Sequence, residues 1–117
     1  MSRSPRQQVL VSPAELAAEL GGESPPVVLD VRWHLMDPAG AGRERYAAGH
    51  LPGSRFLDLE SVLTRHTGDP LDGRHPLPDA ATLSTGLGAL GVRAGDDLVV
   101  VDEPGSFAAE RAWWVLR

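Results

Sequence analysis

Two apolar tracts constrain this chain more than any other feature: Val27-Val28-Leu29-Asp30-Val31 and Leu98-Val99-Val100-Val101. Both are short, rich in β-branched side chains and free of polar alternation, the pattern of strands covered on both faces in a parallel sheet. Helical segments flank them. Ser12-Pro13-Ala14-Glu15 reads as a capping box opening a helix to about Leu20, which Gly21 and Gly22 end. Asp79 caps a second helix, with Leu83, Leu87 and Leu90 on one face and Gly91 as its closing cap. Ser106 is the expected N-cap of a last helix running from Phe107 to Arg117. Strands alternating with helices predict an α/β fold with a central, mostly parallel sheet between helical layers.

Weaker signals fill the gaps. Val9 to Val11 predicts a short strand, Arg43 to Ala48 a short helix, Arg55 to Leu59 a strand and Glu60 to Arg65 a helical turn. The stretch from His66 to Pro78, rich in Gly, Pro, Asp and His, predicts a surface loop. Residues 1–8 are polar and expected to fray, leaving 9–117 as one domain. The chain stops inside an apolar helix at Trp113-Trp114-Val115-Leu116-Arg117, which predicts a domain short of its last strand and helix. In such sheets ligands gather beyond the carboxyl ends of strands, here Asp30 to Trp33 and Asp102 to Ser106.

Composition narrows the chemistry. There is no cysteine, so the chain by itself supplies no thiol nucleophile, disulfide or thiolate-bound metal. A formal charge of −5 argues against nucleic acid as a partner. No apolar run approaches the ~20 residues that span a bilayer, and the first residues lack the pattern of a secretory signal. The expected setting is the cytoplasm, without membrane contact. His34, His50, His66 and His75 lack the spacing of a metal site, and no phosphate-cradling glycine loop occurs, so neither metal nor other cofactor is expected.

Four motifs in order carry a resemblance: V-V-L-D-V-R-W at 27–33, R-Y-A-A-G-H-L-P-G-S at 45–54, H-P-L-P at 75–78, and V-V-V-D-E-P-G-S-F-A-A-E-R-A-W-W-V-L-R at 99–117. Together these resemble the N-terminal domain of the tandem rhodanese family, the thiosulfate and 3-mercaptopyruvate sulfurtransferases. The resemblance implies a three-layer α/β/α fold and a C-terminal rhodanese domain of the same protein as partner. In that domain a cysteine takes sulfane sulfur from a small anionic donor as a persulfide and passes it to cyanide or a thiol.

Asp102 stands where an active domain of this kind has its nucleophile, so no catalytic residue is expected in this chain. A carboxylate there, with Glu103 beside it, is expected to repel an anionic donor. Trp33, Phe107 and Arg32 match positions lining the interdomain cleft. Glu60 and His75 correspond to an acid and a histidine proposed in mercaptopyruvate-type members to act with a serine of the other domain; the plainer reading is a helix-start acid and a loop histidine. His50 is expected to order its turn, and Arg111 to face the domain interface. The alternative to the helper role is a free-standing Cys-less module used for binding or regulation.

Overall fold

A computed structural model describes residues 3–117 as a three-stranded parallel sheet with helices on both faces. The elements are α1 (Pro13–Leu20), β1 (Val27–Asp30), α2 (Ala41–Ala48), β2 (Arg55–Phe56), α3 (Leu59–Val62), a 3-10 turn (Pro70–Asp72), α4 (Ala80–Ala89), β3 (Leu98–Val101) and α5 (Ala108–Leu116). The strand order is β2-β1-β3, with Asp30 opposite both Phe56 and Val101. No described helix is long and apolar enough to cross a membrane.

The central strand is the buried one. Val28, Leu29 and Val31 are sealed from solvent, and the period-2 alternation sends Leu29 and Val31 to the face covered by α3, α4 and α5. Leu57, Leu59 and Leu63 close that core with Ala108 and Ala112, whose small side chains let α5 approach. On the opposite face Phe56 packs against α2: the Tyr46 ring lies 5.5 Å from it, and Gly42 sits so close to the Arg32 carbonyl that a Cβ has no room. β3, expected to be covered on both faces, is half-buried along its length because it forms the outer edge of this sheet.

Local signals are realised closely. Ser12 Oγ accepts from the Glu15 backbone N–H, and the Glu15 carboxylate accepts from the Ser12 N–H, completing the capping box. The Asp79 carboxylate accepts from the Thr82 N–H. Gly91 adopts φ +77°, and the bonds from Val92 N–H to Leu87 O and from Gly91 N–H to Gly88 O close α4 as a Schellman motif. Gly86 of α4 faces Val62 of α3 at a distance that a Cβ would reduce to 2.6 Å from Val62 Cγ1, which fixes how closely these two helices cross.

Two expectations need correction, at Val9 to Val11 and at β2. Val9 to Val11 is not a strand; the Leu10 N–H bonds back to Arg6 O in a turn, and Arg6 and Gln7 reach Glu15 on α1. Residues 1–8 were expected to fray. Met1 and Ser2 lie outside the described residues, and Arg3 pairs with Glu19 of α1 at 2.8 Å on the surface. β2 holds only Arg55 and Phe56, because Asp58 turns the chain into α3 by accepting from the Glu60 N–H.

Candidate functional site

Beyond the carboxyl end of β1 the chain makes a polar turn that is internally balanced. Asp30 is buried and receives both Arg32 Nε, at 3.0 Å, and Arg32 Nη2, at 2.7 Å. That fork leaves Arg32 one further bond, to Gly49 O. The hydrogen bond with Asp30 raises the Arg32 pKa above its ordinary value. Arg32 borders a cavity of about 450 Å³ against α2, but its charge is already matched.

The next residue, Trp33, joins two residues that lie far off in sequence. Its indole N–H donates to Glu60 Oε1 at 3.1 Å, and the same oxygen meets His75 Nε2 at 3.0 Å. The Trp33 and His75 rings stand edge to face, 5.0 Å apart at 84°. Glu60 is presented by the first turn of α3, and His75 by the return of the Pro-rich loop, whose base is tied by the Arg65 N–H to Pro76 O. Burial pushes the Glu60 pKa up, but the contacts from His75 and Trp33 outweigh it and hold the carboxyl below its usual value.

A folded-state pKa below the unfolded one stabilises the fold above the ordinary carboxylate pKa, and the contribution disappears as pH falls through the depressed value. The melting temperature of wild type should therefore exceed that of Glu60→Gln above about pH 5, by a margin that narrows below about pH 4. Glu60 is nearly half exposed, so the margin corresponds to no more than about 1 kcal/mol. A margin that does not narrow below about pH 4 rules out the ionised Glu60 carboxylate as its source.

At the other strand end, Asp102 follows β3 directly, and its Oδ2 accepts from the Ala109 N–H at 2.9 Å. The carboxylate thus sits on the free backbone donors that open α5, where a helix favours an anion. Ser106, expected to be the N-cap, shares that work: its Oγ accepts from the Ala108 N–H and its hydroxyl donates to Trp33 O at 2.8 Å, joining the two strand-end loops. α5 accordingly begins at Ala108, one residue later than expected. Glu103 is not the free repelling charge the sequence suggests, because Arg45 Nε holds it at 2.9 Å, with Arg32 and His34 within 4 Å.

Trp33, His75, Ser106 and Phe107 line a cavity of about 400 Å³ at these carboxyl ends. Phe107 is 77% exposed at its rim, with Leu35 also largely exposed. The structure therefore brings Trp33, His75 and Phe107 to one cavity, with Glu60 bonded to Trp33 and His75, while Arg32 lines the cavity against α2 together with Trp33 and Glu60. His50 stacks on Tyr46, centroids 3.8 Å apart, with Nδ1 against Tyr46 O, as expected of a turn-ordering residue.

Arg111 also lines this cavity, and its guanidinium bonds to the domain's own backbone. It turns into the domain beneath His75, donating from Nε and Nη2 to Leu63 O and from Nη2 to His75 O and Pro76 O. Burial lowers its pKa. No carboxylate among the described residues pairs with it within 4 Å.

The parallel sheet, the helices on both faces and the cavity beyond the strand ends define an α/β module. The rhodanese-like domain model matches residues 12–117, and the chain belongs to that family. It is 43% identical over 111 residues to the "Putative thiosulfate sulfurtransferase SseB" of Mycobacterium tuberculosis, covering 95% of this chain and 38% of that protein. It is 44% identical over 109 residues to the "Probable 3-mercaptopyruvate sulfurtransferase" of Pseudomonas aeruginosa, covering 92% of this chain and 37% of that protein. The 3-mercaptopyruvate sulfurtransferase of Leishmania major superposes with a TM-score of 0.76 at 27% identity, over 91% of this chain and 28% of that one. The chain thus spans well under half the length of these relatives.

Proposed function

We propose that this chain is the non-catalytic N-terminal portion of a cytoplasmic two-domain sulfurtransferase. Its partner is the C-terminal rhodanese domain of the same protein, whose cysteine carries sulfane sulfur from thiosulfate or 3-mercaptopyruvate to cyanide or a thiol as a persulfide. One observation carries the reading: the turn between β3 and α5, where a thiolate would gain most from the helix start, holds Asp102, and its carboxylate already takes the Ala109 N–H. A carboxylate so placed cannot receive sulfur.

The exposed apolar rim of Phe107 and Leu35 beside Trp33 suits one wall of an interdomain cleft, a dry surface that limits water at a persulfide. The free outer edge of β3 and the half-exposed Trp113 and Trp114 are surfaces that a further strand and helix would cover. The test is a thiosulfate-to-cyanide and mercaptopyruvate desulfuration assay of the 117-residue chain. No turnover above the uncatalysed rate is expected from the chain alone, and turnover should appear when a C-terminal rhodanese domain is supplied. Turnover by the chain alone overturns the reading.

A further inference from the structure

Arg111 brings a permanent charge to a cavity that has no other. Of the described residues lining the space of about 400 Å³ at the strand ends, none is acidic, and Arg111 alone is charged at every physiological pH. Trp33, Leu35, Leu59, Phe107 and Ala108 supply apolar wall. The guanidinium is fixed in orientation: Nε donates to Leu63 O, and Nη2 donates to Leu63 O, His75 O and Pro76 O. Nη1 has no hydrogen-bond partner among the described residues. Since no buried side-chain nitrogen or oxygen among them lacks a partner, Nη1 is accessible, with both its N–H groups unused. Backbone carbonyls satisfy donors but carry no net charge, so the positive charge of Arg111 is uncompensated at close range. Glu60 is the carboxylate whose charge reaches it, and its Oε1 is already taken by Trp33 and His75. Glu103 is held by Arg45.

We propose that Arg111, through Nη1, is the counter-ion for a sulfur-centred monoanion, a thiolate or persulfide, that enters this cavity. Charge selects the monoanion. One guanidinium balances one negative charge, and the second charge of a dianion such as sulfate would be left without a partner against apolar wall. Hydration points to sulfur: a thiolate or persulfide carries its charge on large, polarisable atoms and gives up water more readily than sulfate does, and a guanidinium is itself weakly hydrated. The pairing favours the anion over the thiol, so a thiol placed here ionises at lower pH. That the anion belongs to the partner domain's cysteine rests on the sulfurtransferase reading above, whereas the preference of the cavity for a weakly hydrated monoanion does not. Arg111 thereby gives the cysteine-free half a part in the chemistry, supplying the positive charge where the other half supplies the sulfur.

The experiment is a titration of the 117-residue chain with sodium thiocyanate, a stable sulfur-bearing monoanion, followed by NMR of the arginine side chains and the Trp33 indole. Arg111 and Trp33 should shift together and saturate at a concentration about tenfold below that at which Arg43, Arg65 and Arg74 respond, the gain that one charged hydrogen bond gives. Those three arginines are exposed and so report non-specific attraction. Sodium sulfate at the same ionic strength should leave Arg111 unsaturated. Phe107→Ser strips apolar wall at a residue that is already 77% exposed, at little cost to the fold, and should weaken thiocyanate binding several-fold. Arg111→Met should abolish the Trp33 shift. The proposal is overturned if Arg111 responds no earlier than the exposed arginines, if sulfate saturates it as well as thiocyanate does, if Phe107→Ser binds as wild type does, or if the Trp33 shift survives in folded Arg111→Met. The wild-type titrations need no variant, so a substitution that unfolds the chain leaves the proposal refutable. Turnover by the chain alone would remove the sulfurtransferase reading and leave the anion site standing, and a silent Arg111 would remove the anion site and leave that reading, which rests on Asp102.

Discussion

Arg111→Met is expected to lower the unfolding free energy by about 3 kcal/mol, because it strips charged donors from several carbonyls at once. Leu63 O, His75 O and Pro76 O all take hydrogen bonds from this one guanidinium, the shortest at 2.7 Å. Methionine keeps most of the packing of the stem, so the loss reports the polar contacts and not a cavity. In a chain of this size such a loss lowers the melting temperature by roughly 10 °C. Arg111→Lys keeps the charge but lacks the planar fork that reaches two segments together, and should recover less than half of the loss. The damage should concentrate where the Pro-rich loop returns to α3, with faster hydrogen exchange at the Arg65 N–H that bonds to Pro76 O. A loss below about 1 kcal/mol would mean that water replaces the guanidinium at these carbonyls without difficulty.

Arg111 also marks the boundary of what sequence alone discloses. The capping box at Ser12 and Glu15, the cap at Asp79 and the Schellman turn at Gly91 were legible because each is settled within a few residues by backbone groups that need partners. The tract at 27–31 was legible because only a buried strand tolerates so apolar a run. The burial of β3 was overestimated because the same kind of run sits here at a sheet edge, and strand order is a long-range property. Val9 to Val11 failed as a strand because three apolar residues cannot outweigh the ties of Arg6 and Gln7 to Glu15.

The site divides the same way. Resemblance named Glu60 and His75 as candidates, but their meeting at 3.0 Å depends on how the Pro-rich loop folds back, and the part played by the Trp33 indole N–H follows only from that meeting. Arg111 reads in sequence as one polar residue on a helix ending in Trp113 and Trp114. Nothing local says that it points inward, since its acceptors are backbone carbonyls more than 30 residues away. The signal that could have found it is an arginine set one residue before Ala112, the small position where α5 meets the core.

Asp102→Cys should turn an inert turn into a reactive one. At the start of α5 the new thiol takes the place of a carboxylate that accepts from the Ala109 N–H, so the helix start should lower its pKa by about one unit and raise its thiolate fraction about tenfold near pH 6.5. Alkylation by iodoacetamide at that pH should then run several-fold to tenfold faster than for a cysteine in an unstructured peptide. The gain has a cost: sulfur is the weaker cap, and stability should fall by about 1 kcal/mol. Glu103 is the group that could cancel the effect, and its salt bridge with Arg45 at 2.9 Å prevents this. Adding Arg45→Ala to the cysteine variant releases that carboxylate beside the thiol and should slow alkylation again, most strongly at low salt, where its charge is least screened. A thiol no more reactive than the peptide in both variants would show that the helix start gives no anion stabilisation here. Asp102 would then be a cap and no more, and the case for the helper role would rest on the missing cysteine alone.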